Sequence, residues 1–387
     1  MPESTPLHLA VALDGAGWHP AAWREPDAEP SALLTAGYWT GLVQEAERGL
    51  VDLVTIEDSL AVQSTHRDRH DDRTDQVRGR LDAVLVAARV APVTRHVGLV
   101  PSVVVPHTEP FHTSKAIASL DYVSGGRAGV RLLAAAWPHD TSHFGRREFD
   151  GDHTARFDET ADYIEVMRRL WDSWEDDAEI RDEATGRFVD TDKLHYIDFE
   201  GTWFDVKGPS ITPRPPQGQP LVAVLAHVAE PIRLAAKAAD LVFVTPHDEQ
   251  QARALHDQVR TEQGAAGRAD RPLHVFADLV VFLDADAGTA ADRVARLDER
   301  AGTRYKSDAR IFAGTAAELA DLLLEWQRTG LTGFRLRPGA LPHDLHAITR
   351  ELVPELRRRG AFRDHYEADT LRGLLGLSRP ANRYTTA

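Results

Sequence analysis

The sequence contains no cysteine. Disulfide frameworks, thiolate metal sites, iron–sulfur clusters and cysteine nucleophiles are excluded at once. Positive charge is also scarce: 45 lysines and arginines face 60 aspartates and glutamates, a formal net charge of −15. That balance opposes non-specific binding to a phosphate backbone. The nearest thing to a basic patch, Arg73-Thr74-Asp75-Gln76-Val77-Arg78-Gly79-Arg80, is interrupted by Asp75, so no nucleic-acid partner is expected. No apolar run approaches the ~20 residues that span a bilayer. The best candidates, 81–93 and 130–137, are broken by Asp82, Arg89 and Arg131. The first residues, Met1-Pro2-Glu3-Ser4-Thr5-Pro6, pair no basic segment with an apolar one. We therefore expect no signal peptide, no membrane partner and a cytoplasmic location. Three catalytic signatures are missing too: a Gly-x-Ser-x-Gly elbow, a phosphate-binding Gly-x-x-x-x-Gly-Lys-[Ser/Thr] loop, and a Gly-x-Gly-x-x-Gly after the first strand-like run.

What is present is a regular alternation. Hydrophobic residues make up 42% and charged residues 27%, enough to fill a large core. Short β-branched runs at 7–13, 51–57, 97–105, 127–134, 221–226, 241–245, 273–283 and 332–337 are each followed by an amphipathic stretch. Residues 33–49 place Leu34, Tyr38, Leu42 and Ala46 at helical spacing before Gly49. Thr108 and Pro110 open a helix that stops at Ser124-Gly125-Gly126. The longest helix, 154–174, carries Phe157, Ala161, Ile164, Leu170, Trp171 and Trp174 on one face. Eight βα units in series predict an α/β fold, a closed (β/α)₈ TIM barrel forming a single domain over 1–387. The alternation lapses only at about 175–218, an insertion after the fourth unit rich in acidic residues, glycine and proline. Two doubly wound domains split near 218 are the alternative, but neither carries a dinucleotide fingerprint.

In such a barrel the strand C-termini converge on one mouth. That selects Asp14, Glu57, Asp58, Ser102, Arg131, His227, Thr245, His247, Asp284, Arg335 and Arg337, with His19 and Trp23 on the connection after the first strand. Any one of them could equally be a hydrogen-bonded barrel residue or a solvated loop charge. The 18 histidines include two i, i+4 pairs, His66/His70 and His139/His143. Both lie in polar, non-helical stretches and neither has a glutamate after its first histidine, so we read them as solvated loop residues and expect no metal.

The stretch Leu120-Asp121-Tyr122-Val123-Ser124-Gly125-Gly126-Arg127-Ala128-Gly129 resembles a signature of the luciferase-like flavin-dependent monooxygenases. The similarity is to the branch containing nitrilotriacetate monooxygenase, dibenzothiophene-sulfone monooxygenase and the pristinamycin synthase component. Gly17-Trp18-His19-Pro20-Ala21-Ala22-Trp23-Arg24, Thr55-Ile56-Glu57-Asp58 and His153-Thr154-Ala155-Arg156-Phe157-Asp158-Glu159 are similar to further blocks of that family. So are Gly201-Thr202-Trp203-Phe204, Pro215-Pro216-Gln217-Gly218 and Ala235-Ala236-Lys237-Ala238-Ala239-Asp240. The blocks follow the family's order between about 7 and 245.

The resemblance implies a TIM barrel whose mouth binds FMN. Asp58, Ser102 and His153 match cofactor positions. Arg131 replaces the usual asparagine, Phe157 a common tyrosine, and His227-Val228 a pair of serines. Losing the tyrosine and serine hydroxyls removes two phosphate donors, each worth ~1.5–3 kcal/mol to a charged acceptor. Arg131 either answers the phosphate or holds a substrate carboxylate. The implied reaction is oxygenation of a small organic substrate by O2 through a flavin peroxide, with reduced FMN delivered by a separate reductase. His19 would manage the peroxide proton. Trp18, Trp23 and Trp137 would line an apolar substrate pocket, and the insertion would close as a lid. A homodimer is usual in the family. Two further readings keep the barrel: a deazaflavin-dependent oxidoreductase, and a degenerate flavin barrel acting as a partner subunit.

Overall fold

The strand-forming runs are apolar on both faces because one face meets the helices and the other fills a barrel. In β1 (His8–Leu13), Leu9, Val11 and Leu13 join the cluster beneath the helices, whereas Ala10 joins the barrel interior. The computed structural model describes residues 7–66, 69–134, 143–144 and 153–385. After β1 the staves are β2 (Leu53–Ile56), β3 (Gly98–Val104), β4 (Gly129–Leu133) and β5 (Leu221–Leu225). β6 (Leu241–Val244), β7 (His274–Leu283) and β8 (Gly333–Pro338) follow. Each pairs in parallel with the next, and β8 returns to β1, so the barrel is closed. The eight staves are those expected from the sequence.

Local chemistry sets the helix ends. Thr35 accepts from the Tyr38 amide to cap Ala36–Arg48, and Asp82 accepts from Leu85 to cap Ala83–Val90. Pro110–Ser124 begins with its proline and ends at Gly125, whose φ of 68° is left-handed. Among the described residues no helix is long and apolar enough to cross a membrane.

Three features depart from expectation. A parallel edge strand, Arg310–Gly314, extends the second half of β7 where only a polar link was expected. The insertion 175–218 holds two small hairpins, Glu179–Asp182 with Arg187–Val189 and Phe199–Glu200 with Asp205–Val206. It leaves the end of helix His153–Asp172 and returns to the start of β5, both at the barrel's N-terminal pole. Ile197 and Phe199 pack on Val166 and Leu170. Arg214 pairs with Asp172 at 3.0 Å, and the Gln217 amide donates to the Ala128 carbonyl at 2.9 Å. These contacts hold the segment on the flank and the pole away from the mouth, which corrects its expected role as a lid.

The third feature is the C-terminal tail. Leu371, Leu375 and Leu377 plug the N-terminal pole against Val100, Leu221, Leu241 and Phe276. The plug sits so close that a Cβ on Gly98 would lie 2.5 Å from a Leu371 methyl, so a larger residue there would displace the plugging leucine. His274 ties the plug down: its Nε2 is 2.8 Å from the Leu375 carbonyl.

Burial, with His8 nearby, pushes the His274 pKa down to about 4. The unfolded chain, at ~6.5, takes the proton first. The contribution to stability is therefore complete above pH ~6.5 and is lost as pH falls toward 4. We expect the urea midpoint to drop over that window and His274→Gln to flatten the drop. An identical pH slope in the variant would remove His274 from the account.

Candidate active site

Below the mouth the barrel interior is ionic. Alternation along the staves aims Thr55 and Glu57 (β2 and its end), Ser102 (β3), Arg131 (β4), Asp278 (β7), and Arg335 and Arg337 (β8) inward, all 9% exposed or less. Arg335 donates through Nε to Asp278 Oδ1 at 2.8 Å, and Arg337 through Nε to Asp278 Oδ2 at 2.9 Å. Arg335 Nη1 also lies 3.5 Å from Glu57 Oε1. Arg131 pairs with Glu57 and donates to the Ser102 hydroxyl at 3.1 Å. Arg337 Nη1 reaches up to Asp308 at 2.6 Å. Two guanidiniums stack on rings: Arg335 lies 4.2 Å from the Phe243 centroid and Arg337 4.6 Å from that of Trp18.

Taking each ion out of water costs several kcal/mol, so every partner matters. Burial brings the Arg131 pKa down to about 10, with Glu57 opposing, and the group stays charged at neutral pH. Burial also works against Arg337, but Asp278 and Asp308 outweigh it and raise its pKa. Ser102 and Arg131, expected on the cofactor, are partners of one another inside the wall, and Arg131 is also the partner of Glu57.

At the mouth end a cavity of about 440 Å³ opens between the ends of β5 and β6 and helix Glu249–Ala265, with His227, Thr245, His247 and Asp308 on one side and Gln251, Ala254, Leu255 and Gln258 of the helix on the other. Its size suits a ligand or ring system of a few hundred Å³. Val228, 50% exposed, stands at the start of helix Ala229–Ala238 and offers no side-chain cap. A helix start of this kind presents amides to an anion. Glu230 in its first turn opposes one, although Arg233 pairs with it at 3.2 Å. The Thr245 hydroxyl and the His227 and His247 imidazoles are donors of a kind that fits a flavin, and the helix start at Val228 follows His227 directly in the chain. At the phosphate positions that the resemblance implies, Val228 has no hydroxyl and Phe157 is half-buried against the core.

The remaining expected residues are spent on structure. His19 is 2% exposed. Its Nδ1 accepts from the Ala21 amide at 3.1 Å, and its Nε2 lies 3.1 Å from Asp298 Oδ1 on helix Ala287–Ala301. The ring packs on Tyr305 at 5.1 Å, and burial lowers its pKa against the pull of Asp298. With both nitrogens engaged, His19 pins the first loop to an outer helix in this structure. Asp58 accepts from the Ser59 amide at 2.7 Å and the Ala83 amide at 2.9 Å, capping a helix start rather than facing the cavity. The Trp23 indole donates to the Asp75 carbonyl at 2.9 Å and holds two loops together. Trp18 does overhang the mouth, on Arg337. Trp137 and the side chain of His153 lie outside the described residues.

Asp278 and Asp308 were missed. A lone acid in the apolar run Val275-Phe276-Ala277-Asp278-Leu279-Val280, against Arg335-x-Arg337 on the next strand, was a usable signal for the first. Nothing in the polar link marked the second.

The profile of the luciferase-like monooxygenases matches residues 22–330. The chain belongs to that family. Membership makes it an oxidoreductase of the monooxygenase kind. It is 29% identical to N-acetyl-S-(2-succino)cysteine monooxygenase of Bacillus subtilis (strain 168), covering 98% of both chains. It is 28% identical to nitrilotriacetate monooxygenase component A of Aminobacter aminovorans, covering 97% of both. The fold superposes on a riboflavin lyase holding modified FMN and riboflavin with a TM-score of 0.86, at 24% identity over 98% of each chain.

Two outcomes follow from the interior. Asp278→Asn strands two buried guanidiniums and should cost about 3–5 kcal/mol in urea unfolding; a loss within error would show the ions to be independent. His19→Ala should lower Tm while flavin affinity stays within a few-fold, and an unchanged Tm would refute the pin.

Proposed function

We propose that this chain is the oxygenating component of a two-component monooxygenase. It takes reduced FMN from a separate reductase and uses O2 to oxygenate a small organic substrate. The observation that carries the reading is the mouth cavity with its flavin-compatible donors, in a chain that spans almost the whole length of its monooxygenase relatives. One of those relatives is named as a component A, which supports an outside source of electrons. The absence of a nicotinamide fingerprint supports the same source. A homodimer and a cytoplasmic location belong to the same reading.

Bound reduced flavin would supply the electron pair that activates O2. The chain's own residues bind and shield. Thr245, His227 and His247 would orient the ring through hydrogen bonds, and the helix start at Val228 would take the phosphate. Trp18 covers the entrance. The paired ions beneath leave few free polar groups in the described wall to recruit water toward the reacting centre.

The lean phosphate end favours one second reading, a deazaflavin-dependent oxidoreductase that transfers hydride and ignores O2. The decisive experiment is anaerobic titration with reduced FMN and with reduced deazaflavin, followed by mixing with O2. We expect reduced FMN to bind and its reoxidation to be slower than that of free flavin. Reoxidation at the free rate together with tight deazaflavin binding would select the second reading, and binding of neither would leave a non-catalytic partner subunit. Val228→Ser should tighten FMN about tenfold, as ~1.4 kcal/mol from one charge-assisted hydrogen bond implies, without altering riboflavin affinity. An equal effect on both ligands would move the phosphate elsewhere.

A further inference from the structure

A larger cavity, about 730 Å³, lies at the opposite end of the barrel from the mouth. Its walls come from helix His153–Asp172, helix Ala229–Ala238, the loop before β7 and the C-terminal tail. In a chain of net charge −15 this cavity is basic: arginine and lysine outnumber carboxylates among its lining residues.

Most of the acids there are already taken. Buried Asp240 holds Arg168 at 2.9 Å and Arg372 at 3.5 Å. Arg383 holds Glu165 at 2.9 Å and Asp172 at 3.4 Å. Asp162 answers Lys237 only at a distance, and among the described residues none of Lys237, Arg268 and Arg271 has a carboxylate within ion-pair distance. Arg268 is half-buried and donates to the carbonyls of Ala236 at 2.9 Å and Ala239 at 3.0 Å. Those oxygens close the C-terminal end of helix Ala229–Ala238, and its dipole answers only part of a full charge. Burial lowers the Arg268 pKa, Arg168 and Arg271 add repulsion, and Asp240 opposes them only in part. The carboxylate nearest in effect to Arg268, Asp240, is already shared by Arg168 and Arg372, so partly desolvated positive charge is left under-compensated, and an anion in the cavity would relieve it.

We propose that this cavity is a binding site for a small multiply charged anion, bearing phosphate or carboxylate groups, held by Lys237, Arg268 and Arg271. The volume admits a molecule of metabolite size rather than a monatomic ion. Arg372 and Arg383 bring the tail into the same wall, so an occupant would tie down the segment that plugs the barrel pole. Occupancy should therefore appear as stability, with no involvement of the mouth.

The test is calorimetric titration of the full chain with inorganic pyrophosphate and, separately, with citrate, at physiological ~0.15 M salt to suppress diffuse attraction. Thermal unfolding is followed alongside. We expect saturable binding of at least one anion with a rise in Tm, and binding weakened about tenfold or more, with the Tm rise lost, in the double variant Lys237→Gln, Arg271→Gln. Both side chains are exposed, so the variant should fold, which circular dichroism verifies. Binding of pyrophosphate alone assigns a phosphate ligand, and of citrate alone a polycarboxylate. No heat with either anion up to roughly 10 mM, or equal affinity in the double variant, overturns the proposal. No flavin enters the assay, so its outcome is separable from the monooxygenase reading.

Discussion

The Asp278 carboxylate lies between two guanidiniums that water cannot reach, and the strand arrangement around it follows from that position. Asp278 is registered directly opposite Arg335 across the β7–β8 pairing, and Arg335 in turn opposite Ala10 on β1, whose small side chain leaves room for it. A slip of one residue in β7 would turn Asp278 outward among the helices and take from both arginines the carboxylate they share, leaving Arg335 only Glu57 at 3.5 Å and Arg337 only Asp308. The apolar alternation of β7 and β8 tolerates many neighbours, whereas this three-centre ion contact tolerates one register. Charge here acts as a specificity device laid over a hydrophobic frame, and it is costly to break because each ion is already desolvated.

The two ends of the barrel are closed by opposite chemistry. The N-terminal pole is sealed by leucines of the tail packed on inward aliphatic and aromatic side chains. The upper half is filled by arginines neutralised by Glu57, Asp278 and Asp308. Asp308 is the odd member: it comes from a loop outside the staves and its side chain is 40% exposed, while its partner Arg337 is buried. Neutrality of the interior thus depends on a carboxylate that also borders the mouth cavity. Chemistry at the mouth and packing in the core share one residue.

How much of this was legible beforehand differs by type of information. The eight staves were visible because β-branched runs of the right length alternate with helical periodicity, a local signal that tertiary context reinforced. The tail was not, since its plugging leucines show no periodicity and their role exists only once the staves assemble. The mouth location of His19 was readable, but its function was set by Asp298, a partner 279 residues away in the chain. Arg131 stood out as unusual, yet the sequence could not show that Glu57 and Ser102 would absorb its charge. Asp58 was rightly placed at a strand end, where the nearby helix start claimed its oxygens first.

The plug also bears on how the chain is made. Until residues 371–377 have cleared the ribosome, the rim formed by Val100, Leu221, Leu241 and Phe276 has nothing to cover it, although all eight staves have already been synthesised. A nascent chain at that stage presents a ring of bare apolar side chains to solvent, the kind of surface that recruits chaperones or seeds aggregation. The interval between the synthesis of β8 and that of residues 371–377 is therefore hazardous, and its length is the time taken to add the few dozen residues between them.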